Sequence, residues 1–136
     1  GFIFQFASLI PTLTATENVQ LPLMFGSANG RADPSGEARE LLGLVGLSDK
    51  LQAYPNELSG GQQRRVAIAR ALYNKPKLIL ADEPTGDLDE ETEAEVMDLL
   101  LRTTRRNRAA FLLVTHNRGI AESADRMLKM KNGCLA

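Results

Sequence analysis

A short glycine-bearing run, Leu58-Ser59-Gly60-Gly61-Gln62, is followed about twenty positions later by four apolar residues, Leu78-Ile79-Leu80-Ala81, that end in the acidic pair Asp82-Glu83. Serine before two glycines and a helical pattern reads as a helix start, whose first-turn amides are left for an outside acceptor. The apolar run reads as a strand buried on both faces that delivers its two carboxylates to the carboxyl edge of a sheet. An anion-attracting helix terminus and a strand-end acid pair in one stretch are the ingredients of phosphate and metal chemistry. Downstream of Lys75-Pro76 the pattern alternates: a strand over 78–81, a helix near 90–106, a strand over 111–114, a helix near 118–124 and a strand over 127–130. That alternation predicts an α/β fold with a parallel sheet covered by helices.

Upstream, Gly1-Phe2-Ile3-Phe4 reads as a strand already under way and ending at Gln5. No G-x-x-x-x-G-K-[ST] phosphate loop occurs and the first residue is not methionine, so the sequence reads as the back half of a longer protein. Pro11 and Pro22 bracket a short helix over 14–21, and residues 26–33 read as a surface loop. Asp33-Pro34 is a cap and first-turn pair for a helix carrying Ala38, Leu41, Leu42 and Val45 at helical spacing up to Gly46. The helix opened by Ser59 runs to about Asn74 and turns Val66, Ala69, Leu72 and Tyr73 toward the core. Asn132-Gly133 offers a turn after the last strand.

The formal net charge of −1 gives no electrostatic case for a nucleic-acid partner. Arg102, Arg105, Arg106 and Arg108 do cluster, but Glu90, Glu91, Glu93 and Glu95 open the same segment. Acids at a helix start and bases at its end each complement the macrodipole. No apolar run is long enough to span a bilayer, so a membrane role has to come through a partner. The single cysteine, Cys134, forms no internal disulfide, fits a reducing compartment and reads as a buried or bystander thiol.

The run from Leu58 to Gln63, continuing through Arg65-Val66-Ala67-Ile68-Ala69-Arg70-Ala71-Leu72, resembles the signature region of the ATP-binding subunits of ABC transporters. Leu78 to Glu83 resembles a Walker B motif, Gln5 the Q-loop glutamine, Gly86-Asp87-Leu88-Asp89 the D-loop, and Leu113-Val114-Thr115-His116 the switch-histidine segment. The resemblance covers essentially the whole chain. It implies a partial P-loop NTPase of ABC type, with Q-loop and helical subdomain over about 6–70 and Walker B, D-loop and switch-histidine core over about 71–136. ATP and Mg2+ are the implied cofactors. The resemblance gives Asp82 to the metal, Gln5 to the metal and the attacking water, Glu83 to that water as base, and His116 to the terminal phosphate, where it orients Glu83 and the water. Ser59, Gly60, Gly61 and Gln62, with Asp89 at the subunit contact, are implied to face ATP held by a second ATP-binding subunit. The implied assembly sits on integral-membrane permease subunits at the cytoplasmic face of the inner membrane.

Phe4-Gln5-Phe6, Leu9 to Thr14, Glu17-Asn18-Val19 and Leu80 to Asp89 are similar to the branch that includes lipoprotein-releasing, macrolide-efflux and cell-division ATPases, with Phe4-Gln5-Phe6 leaning toward lipoprotein release. Two departures stand out: Arg64 where that branch usually has glutamine, and Asn117 after His116 where aspartate is usual. Lacking the phosphate loop and its lysine, this stretch alone is expected not to hydrolyse ATP appreciably. Two alternatives stay open: a truncated, non-catalytic regulatory partner of a complete ABC ATPase, and a soluble ABC ATPase with no transport role.

Overall fold

Strand β2 (Leu78–Asp82) lies at the centre of a three-stranded parallel sheet, between β1 (Phe2–Ile3) and β3 (Ala110–Val114). Phe2 pairs with Leu80 and Leu80 with Leu112, while Ile3 pairs with Ala81 and Ala81 with Leu113. These elements belong to a computed structural model that describes residues 1–25, 32–86 and 88–135. The parallel arrangement, read from strand–helix alternation, is as expected. Burial on both faces is not. Ile3, Ile79 and Ala81 are fully buried, but Leu78, Leu112 and Val114 are each about half exposed, at 47%, 55% and 57%. Four consecutive apolar residues hide this alternation from the sequence. Among the described residues, helices cover only the face that carries Ile79 and Ala81.

The helices start where their caps dictate. Helix α1 (Ala15–Gln20) is opened by Thr14, whose hydroxyl accepts from the amide of Glu17 while the Glu17 carboxylate accepts from the Thr14 amide. A 3₁₀ turn, Leu21–Phe25, follows and takes up Pro22. Helix α2 (Pro34–Leu44) has Asp33 as its cap and Pro34 in the first turn. Most of the loop expected over 26–33 lies outside the described residues. Helix α3 (Gly60–Leu72) starts at Ser59 and buries Val66, Ala67, Ile68, Ala69 and Leu72 against α1, α2 and the sheet. Helix α4 (Glu90–Arg106) has Glu90, Glu91 and Glu93 in its first turn and Arg105 and Arg106 in its last, as the macrodipole favours.

The C-terminal part departs from expectation in one respect. Helix α5 (Arg118–Glu122) is where predicted, but the strand expected over 127–130 begins only at Met130. There β4 (Met130–Lys131) pairs antiparallel with β5 (Cys134–Leu135), forming a hairpin apart from the main sheet. Asn132 and Gly133 both adopt positive φ, +51° and +77°, the pair of left-handed residues that a tight two-residue hairpin turn requires. Cys134 is exposed on this hairpin, the bystander of its two readings.

Asn18, on α1, is fully buried and fixes the irregular segment before the helix. Its Oδ1 accepts from the Ile10 amide at 2.8 Å, and its Nδ2 faces the carbonyls of Ile10, Leu13 and Thr14 at 2.9–3.1 Å. Removing that side chain strands buried donors and acceptors, each of which costs desolvation without return. Asn18→Ala is expected to lower unfolding free energy by about 3 kcal/mol in urea titrations. Asn18→Asp should cost at least as much, since a carboxylate offers no donor to those carbonyls. A loss under about 1 kcal/mol for both would contradict this account of the segment.

Candidate functional site

Two groups of polar residues emerge from the fold. The first is a corner at the carboxyl end of β2. Asp82 is the last residue of the strand and is exposed, and Glu83 turns sharply away from it with φ of +44°, held by its amide to the Val114 carbonyl at 2.9 Å. This turn sends the Glu83 carboxylate across to the end of β3. There its Oε1 accepts from the His116 amide at 2.7 Å and lies 2.8 Å from His116 Nδ1, while its Oε2 accepts from the Thr115 hydroxyl at 3.1 Å. The His116 side chain is 87% exposed, so one edge of the ring grips Glu83 and the rest faces outward. Gln5 approaches the same corner: a Cβ built on Gly86 would meet Gln5 Cγ and Glu83 Cβ, each at 3.7 Å.

Burial raises the Glu83 carboxyl, but the hydrogen bonds from the His116 side chain and amide and from Thr115 outweigh it and hold the group below the ordinary carboxylate range. Glu83 is therefore an ionised acceptor at neutral pH. The groups here, an exposed strand-end carboxylate and a glutamine that approaches the same corner, suit a hard cation that takes most of its ligands from phosphate oxygens and water. Asp82 and Gln5 are the residues that would hold it.

The second group lines a cleft of about 490 Å3 whose walls include Ser59, Gly60, Gly61, Gln62 and Asp89. Ser59 caps α3: its hydroxyl accepts from the Gln62 amide at 3.2 Å and its own amide donates to Gln62 Oε1 at 2.9 Å. The two glycines serve different ends. A Cβ on Gly60 would meet nothing within 4 Å, so Gly60 leaves open approach to the helix start, whereas a Cβ on Gly61 would lie 2.8 Å from Thr92 Cγ2. Gly61 thus permits α4 to come close. Asp89 caps α4 through the Thr92 amide at 3.0 Å and hydroxyl at 2.7 Å, and those bonds hold its carboxyl below the ordinary range. Asp87, between the two groups in sequence, lies outside the described residues.

Every site residue read from the sequence falls in one of these two groups, and Glu83 and His116 do not line the cleft. Sequence reading missed Thr115, Arg65, Leu88 and Thr92, which complete the corner and the cleft walls. The signal for Thr115 is its place beside His116 at the end of an apolar strand. The cleft walls carry none, because Arg65 and Thr92 come to one cleft only through the packing of α3 on α4. Arg64, the departure in the signature helix, is 4% exposed and donates to the carbonyls of Phe4 at 2.6 Å and Gly86 at 3.2 Å, the residues flanking Gln5 and the Glu83 turn.

The family model described as "ABC transporter" matches residues 1–86. The lipoprotein-releasing system ATP-binding protein LolD of Geobacter metallireducens is 50% identical over 133 residues, covering 98% of this chain and 59% of its own length. The macrolide export ATP-binding/permease protein MacB of Rhodopirellula baltica is 45% identical over 137 residues, which make up 20% of it. Among solved structures, the dimeric post-hydrolysis state of the ATP-binding cassette MJ0796 bound to ADP and Pi superposes with a TM-score of 0.84 at 43% identity, covering 98% of this chain and 59% of that one. The chain therefore spans about 59% of the length of the LolD relative it matches.

The corner makes a titration prediction. A carboxyl held low in the folded state adds stability above its unfolded value, and that contribution is lost as the pH falls through the folded value. Thr115→Val and His116→Ala each remove a donor, so each should move the Glu83 carboxyl upward in a carbon-13 NMR titration. Stability lost between neutral and acid pH should shrink in step. An unmoved Glu83 titration in both variants would contradict the hydrogen-bonded corner.

Proposed function

Since the chain belongs to the ABC transporter family of ATP-binding proteins, we propose that it is part of a subunit that binds and hydrolyses ATP to drive a membrane permease, in lipoprotein release or a related export process. The observation that carries this reading is the separation of the two groups. The Ser59–Gln62 helix start and Asp89 share one cleft, whereas Glu83 and His116 pair at a strand edge that does not line it. Two half-sites on one chain suit a nucleotide sandwiched between two copies, each giving its cleft to the partner's nucleotide. The dimeric state of the ATP-binding cassette MJ0796 supports that assembly.

Under this proposal Asp82 and Gln5 hold Mg2+, Glu83 accepts a proton from the attacking water, and the outward edge of His116 meets the terminal phosphate. In the folded state Glu83 is ionised, as a base must be, and His116 already fixes its direction. The amides at the start of α3 and the Ser59 hydroxyl meet the phosphates of the partner's ATP. Residues 6–70 form the Q-loop and helical subdomain that touches the permease, and residues 71–136 belong to the ATPase core. No helix among the described residues is long and apolar enough to cross a membrane. A peripheral position on permease subunits at the cytoplasmic face of the inner membrane meets that constraint. Lipoprotein release is the substrate class named for the LolD relative, and export of macrolides that named for MacB.

The test is steady-state ATP turnover by the complete protein, wild type against Glu83→Gln. The substitution keeps the size and the hydrogen-bonding oxygen but removes the base, and turnover should fall about a hundredfold or more with ATP binding retained. A complete wild-type protein that does not turn over ATP, with or without its permease, would instead favour a regulatory partner.

A further inference from the structure

Asn117 stands where the resembled branch usually has aspartate, and the structure gives it a place an aspartate would fill badly. Its Oδ1 is committed to capping α5, accepting from the amides of Gly119 at 3.0 Å and Ile120 at 3.4 Å. With the oxygen fixed there, the side-chain nitrogen has to point the other way, toward the first turn of α4. Nδ2 donates to both carboxylate oxygens of Glu93, at 3.3 and 3.2 Å. Glu93 also accepts from the Thr85 hydroxyl at 2.8 Å, and Thr85 is buried two residues beyond Glu83.

The path continues in the other direction. The Asn117 amide donates to the Thr115 hydroxyl oxygen at 3.0 Å, and that hydroxyl donates to Glu83. Glu83, Thr115, Asn117, Glu93 and Thr85 therefore form a closed ring, completed by the backbone from Thr85 back to Glu83. It ties the end of β3 to the start of α4 through the residue that follows β2. We propose that Asn117 is a positioning residue matched to Glu93: its amide docks the His116 segment on α4 and so fixes Thr115 and His116 against the Glu83 carboxylate. Aspartate at this position would set its second oxygen against the Glu93 carboxylate at hydrogen-bond distance, two like charges with no donor between them. The asparagine is thus matched to the glutamate at position 93 of this chain. Its consequence for turnover rests on the ATPase reading above, whereas its consequence for Glu83 does not.

The experiment is a four-member cycle in the full-length protein: wild type, Asn117→Asp, Glu93→Gln and the double variant. Each is measured for kcat and KM with ATP and for hydrogen exchange of the His116 amide, which donates to Glu83 Oε1 at 2.7 Å. Asn117→Asp should lower kcat about tenfold with KM for ATP within about twofold, because the ring orients groups without lining the cleft. It should also speed exchange of the His116 amide about tenfold or more while amides of helix α3 keep their protection. Adding Glu93→Gln restores a donor between the two side chains, and both readouts should return toward wild type, which loss of fold alone would not allow. An Asn117→Asp variant with unchanged kcat and unchanged His116 exchange overturns the proposal, as does a defect that Glu93→Gln leaves in place. If the wild-type protein shows no turnover, the ATPase reading fails, and the exchange of the His116 amide still decides whether Asn117 and Glu93 act as a pair.

Discussion

The packing of helix α3 is the constraint on which the rest of this structure depends. Its buried stripe is built from Val66, Ala67, Ile68, Ala69 and Leu72, whose two alanines let α1, α2 and the sheet come close. Three arginines on the same helix then reach backbone carbonyls of the loops around it. Arg64 holds Phe4 and Gly86, Arg65 holds Val45, and Arg70 holds Ala7 and Ser8. A guanidinium presents several donors in a rigid fork, which suits it to tying irregular segments that have no ladder of their own. The helix whose start forms the cleft is therefore also the element that fixes the backbone on either side of Gln5 and the turn after Glu83.

That arrangement joins the two groups of site residues. The helix that starts at Ser59 carries Arg64, which bonds the carbonyls flanking the Glu83 corner. The corner itself is braced from the opposite side by the hydrogen-bonded ring through Asn117 and Glu93. Glu83 is thus held between two supports, one from the signature helix and one from α4. Its positive φ is tolerated because the amide bond to Val114 and the three donors to its carboxylate define the turn from both ends.

Much of this was legible in the residues. Caps announced themselves: Ser59, Asp33 with Pro34, and the left-handed pair Asn132-Gly133 all sit where local chemistry places them. The strand–helix alternation after Lys75 gave the parallel sheet, and Asp82-Glu83 fell at its carboxyl edge. The failures have physical causes. Leu78-Ile79-Leu80-Ala81 has no polar residue to reveal which face is covered, so the half-exposed Leu78 could not be told from the buried Ile79. The strand expected over 127–130 starts only at Met130 because its partner, Cys134–Leu135, directly follows the Asn132-Gly133 turn and pairs back no further than Met130, which overrides the apolar run beginning at Met127. The roles of Thr115, Asn117 and Glu93 were invisible because they arise from contacts between residues 32 and 24 positions apart, and no local pattern marks such contacts.

The central claim is that the cleft headed by Ser59 serves a nucleotide bound to a second copy. It is tested most directly by sedimentation of the complete protein carrying Glu83→Gln, with and without Mg-ATP, compared with the same protein also carrying Ser59→Phe. The account predicts an ATP-dependent dimer for the first and a monomer for the second, with ATP still bound to each chain. A dimer of equal strength in both proteins, or loss of ATP binding along with the dimer, would contradict it.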